Sequence, residues 1–94
     1  MGQEQKYEIT YHPSVSGEVS SLDSFWHERI LEAVENKLLV LPEVFGKPLR
    51  QSLAGFRTMR VGDYRVVFEL KKKMIHVIAI RHRSVGYKGI EKRK

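Results

Sequence analysis

FRTMRVGDYRVVFEL, residues Phe56–Leu70, consists of two β-rich runs, Phe56–Val61 and Tyr64–Leu70, either side of Gly62-Asp63. A two-residue loop of this kind closes a tight hairpin. The loop sets the register: Val61 faces Tyr64, and one step further out Arg60 sits directly across from Arg65. Side chains alternate faces along a strand, so Phe56, Thr58 and Arg60 share one face with Arg65, Val67 and Glu69. The other face carries Arg57, Met59 and Val61 with Tyr64, Val66, Phe68 and Leu70, and is the more apolar. Two arginines directly opposite each other repel, at a cost of roughly 0.2–1 kcal/mol. A sheet has little reason to hold such a pair unless the two meet an anion.

Beyond the hairpin, Lys71-Lys72-Lys73 turns the chain into Met74–Ile80, apolar at nearly every position except His76. That is the pattern of a strand buried on both faces. The parity of its far end depends on the turn. With a three-residue turn, Leu70 pairs with Met74 and Arg65 shares its face with Arg81 and Arg83. A two-residue turn flips the parity and brings His82 to that face instead.

Upstream, Tyr7–Tyr11 (YEITY) alternates apolar and polar residues as a first strand. Pro13 suits the first turn of a helix with Val15, Val19 and Leu22 at helical spacing, although Gly17 weakens it. Asp23 or Ser24 caps a second helix, from Phe25 to about Leu41, which Pro42 ends. Its apolar stripe is Trp26, Ile30, Ala33, Val34, Leu38 and Leu41. Pro42–Gly55 reads as a linker that contains Lys47 and Arg50. The order β-α-α-β-β-β predicts a single α+β domain over 1–94, with two N-terminal helices packed on an antiparallel sheet.

A chain of 94 residues, 41% hydrophobic and 30% charged, is expected to be globular with one core. It lacks cysteine, so neither a disulfide framework nor a thiolate metal site is available, which suits a cytoplasmic protein. Its longest apolar runs, Leu38–Leu41 and Val77–Ile80, are too short for a membrane span, and MGQEQK lacks the apolar segment of a signal peptide. The 17 basic and 11 acidic residues give a net charge of +6, which points to a polyanionic partner, either nucleic acid or an acidic protein. A lysine-rich soluble surface explains the charge alone equally well, so its distribution decides.

That distribution gathers Arg60, Arg65, His82, Arg83 and Tyr87 near one end of the sheet, with Lys47, Arg50 and Arg57 around them. Guanidinium groups bind phosphate through paired, permanently charged contacts, and tyrosine offers a stacking platform for a base. Single-stranded RNA recognition uses this combination. Each member also has a plainer role. Arg65 can pair with Glu69 or Asp63, Tyr87 can serve as core at the sheet edge, and His82 can be a structural histidine. His12, His27 and His76 look structural or solvated, the lysine triplet reads as a solvated turn, and nothing has metal-ligand spacing or suggests a cofactor. Convergence favours the functional reading: three or more cations and an aromatic share one patch with no obvious neutralising carboxylate.

Gly46-Lys47-Pro48-Leu49, the RVGDYRVVF core of the hairpin, and His82-Arg83 followed by Tyr87 resemble the RelE/ParE toxin superfamily. The resemblance covers nearly the whole chain. It implies a RelE-like fold, a place as toxin in a type II toxin–antitoxin pair, and a cognate antitoxin held in a hetero-oligomer. In the RelE branch the implied activity is ribosome-dependent, metal-independent endoribonuclease cleavage of mRNA. There a nucleotide's 2′-hydroxyl attacks the adjacent phosphate while cations steady the growing charge.

Carried over by motif, Arg65 would bind the scissile phosphate and Arg83 would stabilise it or protonate the leaving group. Tyr87 would stack on the substrate base or act as base, and His82 would serve as acid. Two departures stand out. Arg57 and Arg60 are the nearest cations where some relatives carry lysines, and a general-base glutamate has no counterpart beyond Glu69 and Asp63. ParE-type relatives share the fold and inhibit DNA gyrase without this RNase set, whereas the Arg–His–Arg–Tyr ending favours the RNase branch. A basic antitoxin-binding module without toxicity is the third reading.

Overall fold

The computed structural model describes residues 7–93. Strand β1 (Glu8–Tyr11) leads into helices α1 (Ser14–Ser20) and α2 (Ser24–Ala33), and a short helix α3 (Pro42–Phe45) follows. Strands β2 (Lys47–Pro48), β3 (Phe56–Val61), β4 (Tyr64–Lys71) and β5 (Met74–His82) complete one sheet in the order β1-β5-β4-β3-β2. The architecture is the expected α+β one. Neighbouring strands are antiparallel except β1, which runs parallel to β5. No hairpin ties β1 to its neighbour, because the helices intervene, so local turn geometry places no antiparallel constraint on it.

The hairpin has the expected register, with Val61 opposite Tyr64 and Arg60 opposite Arg65. Gly62 takes φ +59 while Asp63 keeps a negative φ, the pattern of a type II′ turn. The apolar face lies under the helices, where Met59, Val66, Phe68, Ile75, Val77 and Ile80 pack against Val15, Ile30, Val34 and Leu38. A smaller core occupies the opposite face: Phe56, Val67, Ile78, Ala79 and Ile90, covered by Leu49, Leu53 and Tyr87. Strand β5 is therefore buried on both sides, as its composition requires.

The parity left open by the length of the lysine turn is decided by two features together. The lysine turn has two residues, since Lys71 pairs with Met74 and Leu70 with Ile75, and Lys72 adopts φ +55. That alone would put His82 beside Arg65. A bulge intervenes: Val67 pairs with Ala79 but Phe68 with Val77, which leaves Ile78 as an extra residue. One extra residue reverses the parity again. Arg81 now stands opposite Arg65, and His82 stands opposite Tyr64 on the helix side.

The second helix is also shorter than expected. Asp23 caps it by accepting a hydrogen bond from the Trp26 N–H at 3.0 Å. After Ala33 the chain widens into a π-turn, Val34–Leu38, with the Leu39 N–H donating to the Val34 carbonyl five residues back. Ile30, Val34 and Leu38 stay buried, but Leu41 falls off the stripe and is exposed. Pro42 stops this helix because the preceding residue is pushed out of helical geometry, and it then serves as the first residue of α3.

Pro42–Gly55 is more structured than a linker. It holds α3, the β2 pairing of Lys47 with Thr58, and a 3₁₀ turn at Gln51–Leu53. Gly46 packs so closely on the Phe68 ring that a Cβ would overlap it, and the Gly46 carbonyl accepts from Arg57 Nη1 at 2.9 Å. These contacts bring β2 and Lys47 to the sheet edge.

Candidate functional site

On the face away from α1 and α2, three adjacent strands align Arg60, Arg65 and Arg81 in one cross-strand row. Their surroundings differ. Arg81 is ion-paired to Glu18 of α1 at 3.3 Å, and Arg60 is solvent-exposed. Arg65 lies between them, half-buried, and its Nη1 is the one buried side-chain polar atom without a partner among the described residues. Neither carboxylate suggested for it is engaged: Asp63 pairs with Arg83, and Glu69 stands four positions along the strand, opposite Phe56 and His76. An unpartnered buried donor costs about 1–3 kcal/mol, more when charged.

Beside Arg65 is a cavity of about 300 Å³. Lys37, Lys47, Arg60 and Arg65 supply its cations, and Phe45, Thr58 and Tyr87 most of the remaining wall. Tyr87 is half-buried, with its ring packed on the smaller core and its hydroxyl donating to Thr58 Oγ1 over a long 3.5 Å. The fold thus gathers Arg60, Arg65, Lys47 and Tyr87, as expected from the sequence. The remaining candidates lie elsewhere.

Arg83, one residue beyond β5, donates its backbone N–H to the Asp63 carbonyl, and its exposed guanidinium pairs with the Asp63 carboxylate at 3.4 Å. That leaves it at the hairpin tip, outside the cavity lining. His82 is on the helix side, edge-on to the Tyr64 ring at 5.1 Å, with Nδ1 2.8 Å from Ser84 Oγ. Arg57 is tied to Gly46, and Arg50 is exposed before the 3₁₀ turn. Lys37 was not legible as a site residue. It is off the apolar stripe of α2, and the π-turn brings its ammonium to the cavity, 5.6 Å from the centroid of the Phe45 ring.

Residues 9–87 match the family model described as the ParE toxin of the type II toxin–antitoxin system parDE. The chain belongs to this toxin family. It is 30% identical over 90 residues to Toxin RelE of Mycobacterium tuberculosis, covering 94% of this chain and 93% of that one. Among solved structures, a RelBE toxin–antitoxin complex from M. tuberculosis superposes with a TM-score of 0.79 at 23% identity, covering 84% of this chain and all of that one. A double arginine-to-alanine mutant of Escherichia coli toxin RelE in the free state gives 0.74 at 20% identity, over 95% and 98% of the two chains. This protein is the toxin component of a type II toxin–antitoxin system. Its cavity lies at the β3 edge of the toxin sheet, between Lys37 and Phe45 on the helical side and Arg65 and Tyr87 on the other.

Proposed function

We propose that this toxin is an endoribonuclease that cuts mRNA on the ribosome. The observation that carries the reading is the buried, unpartnered Nη1 of Arg65 beside the Tyr87 ring. A guanidinium in that state is poised for an anion, and a phosphodiester brings both the charge and a base to stack on tyrosine. In this reading Arg65 holds the scissile phosphate and stabilises the charge that grows on its oxygens as the 2′-hydroxyl attacks phosphorus. The bond to the 5′-oxygen breaks, leaving a cyclic phosphate on one fragment and a hydroxyl, once protonated, on the other.

Tyr87 stacks on the flanking base, while solvent water takes the 2′ proton and returns one to the departing 5′-oxygen. Arg60 and Lys47 hold neighbouring phosphates. Arg83, being exposed, exchanges Asp63 for the leaving-group side of the substrate. His82, turned to the helix side, has no part in this chemistry. An acidic antitoxin covering the same cations is the partner that fits them, in keeping with the RelBE complex among the relatives. A cytoplasmic site of action follows from the ribosomal target, and no described helix is long and apolar enough to cross a membrane.

Purified toxin mixed with ribosomes on a defined mRNA tests the reading. Wild type should cut within the decoded region, and Arg65→Ala or Tyr87→Ala should each lower the single-turnover rate by about a hundredfold or more. Intact mRNA with the wild-type toxin would sink it. A second reading, inhibition of DNA gyrase without catalysis, draws on the ParE description of the matching family model. Blocked supercoiling by purified gyrase, with mRNA left whole, would establish that one instead.

A further inference from the structure

Tyr87 lies in a segment with no strand pairing of its own, so something else must fix its ring over the cavity. Core packing and the Thr58 hydroxyl hold the ring itself, and the main chain on either side of it is held by Arg81. Its Nη1 donates to the carbonyls of Gly86 and Lys88, at 3.2 and 3.1 Å, which brackets Tyr87 on both sides. Its Nε donates to Glu18 Oε2 at 3.3 Å. Glu18 is held in turn: Oε1 accepts the Ile80 N–H at 3.0 Å, and Oε2 accepts Arg93 Nη1 at 2.9 Å. Arg93 also donates to the carbonyl of Ile78, the bulge residue, at 3.0 Å. All three charged side chains are largely shielded from water, at 13–18% exposure, so the carboxylate acts in a low-dielectric setting.

We propose that Glu18, a residue of α1, is a positioning residue for the reaction: through Arg81 it fixes the main chain on both sides of Tyr87 and so sets the stance of that ring beside Arg65. The proposal rests on the reading of Tyr87 as the substrate-stacking residue. It also assigns a reason for the three-donor convergence on one glutamate. Arg81 left without a carboxylate would face Arg65 across the strand pair as a second bare cation, and it would lose the partner that aims its fork at the two carbonyls.

Glu18→Gln keeps size and one acceptor but turns an amide toward Arg81 and Arg93. Its single-turnover cleavage rate on ribosomes should fall about tenfold to a hundredfold, the scale of a misplaced reacting group, with affinity for the programmed ribosome unchanged. In a Tyr87→Ala background the same substitution should cost nothing further, because its effect passes through that ring. An equal loss in both backgrounds, or no loss in wild type, overturns the proposal. Arg81→Lys, which keeps the charge but loses the fork, should follow Glu18→Gln.

A second measurement needs no activity. In 3-fluorotyrosine-labelled toxin, with the Tyr87 resonance assigned by Tyr87→Phe, Glu18→Gln should move or broaden that ¹⁹F signal while the Tyr64 signal stays in place. An unmoved Tyr87 signal, or equal movement of both, overturns it. If wild type leaves mRNA uncut, the proposed activity fails, and the ¹⁹F result still decides the positioning role.

Discussion

Arg65 is held between Arg60 and Arg81 in a single cross-strand row, with one of its nitrogens buried and unbonded. Glu18 neutralises Arg81 and water solvates Arg60, so the repulsion and the missing hydrogen bond both fall on Arg65. Replacing it by methionine keeps most of the packing and removes both penalties. Arg65→Met should raise the unfolding free energy by roughly 1 kcal/mol in a urea titration while cleavage is lost, the trade between stability and function expected at a strained site. A fall in stability would mean that Arg65 has a structural role. The Arg60–Arg65 pairing was legible in the sequence because a two-residue loop leaves only one register. The membership of Arg81 was one of two open alternatives, because it hangs on the bulge at Ile78, and Val77–Ile80 is uniformly apolar and carries no mark of which residue bulges.

At the level of elements, the cavity depends on two that the sequence pattern understated, the π-turn that presents Lys37 and the short strand that presents Lys47. The strand is anchored by Gly46 against Phe68. Gly46→Ala forces a Cβ into that ring and should lower stability by about 1–3 kcal/mol, read from the shift of the denaturation midpoint. A neutral result would show that the α3–β2 corner gives way easily. The join between β1 and the helical layer titrates. Burial, and then the charge of Glu35, raise the pKa of Tyr11 above its ordinary 10.0. The folded chain therefore keeps that proton at a pH where the unfolded chain has lost it. Stability is untouched below about pH 10 and declines as pH rises through the raised value. Tyr11→Phe should flatten this decline in melting temperature across about pH 9–12; an unchanged slope would place the alkaline transition elsewhere.

Across the whole molecule, the sheet separates two tasks. The helices cover one face and build most of the core, while the other is only partly covered, by the Leu49–Leu53 segment and the C-terminal turn, and keeps its cations at the hairpin end. With a net charge of +6, association with a polyanion should be steered over long range. Its association rate with an acidic antitoxin or with ribosomes should drop severalfold between about 50 and 500 mM salt, measured by stopped flow, since the screening length shortens over that interval. A salt-independent rate would point to apolar docking instead. The hairpin, its register, the α+β order and the apolar face were all legible in the chain because they follow from local rules: loop length, alternation and helical period. The parallel edge strand, the return of Arg81 to the row, the departure of His82 from it and the clamp from Glu18 to Tyr87 were decided only by tertiary structure. Each joins residues far apart in sequence, and one bulge, set by how β5 fits between two cores, reverses a parity that no local pattern records.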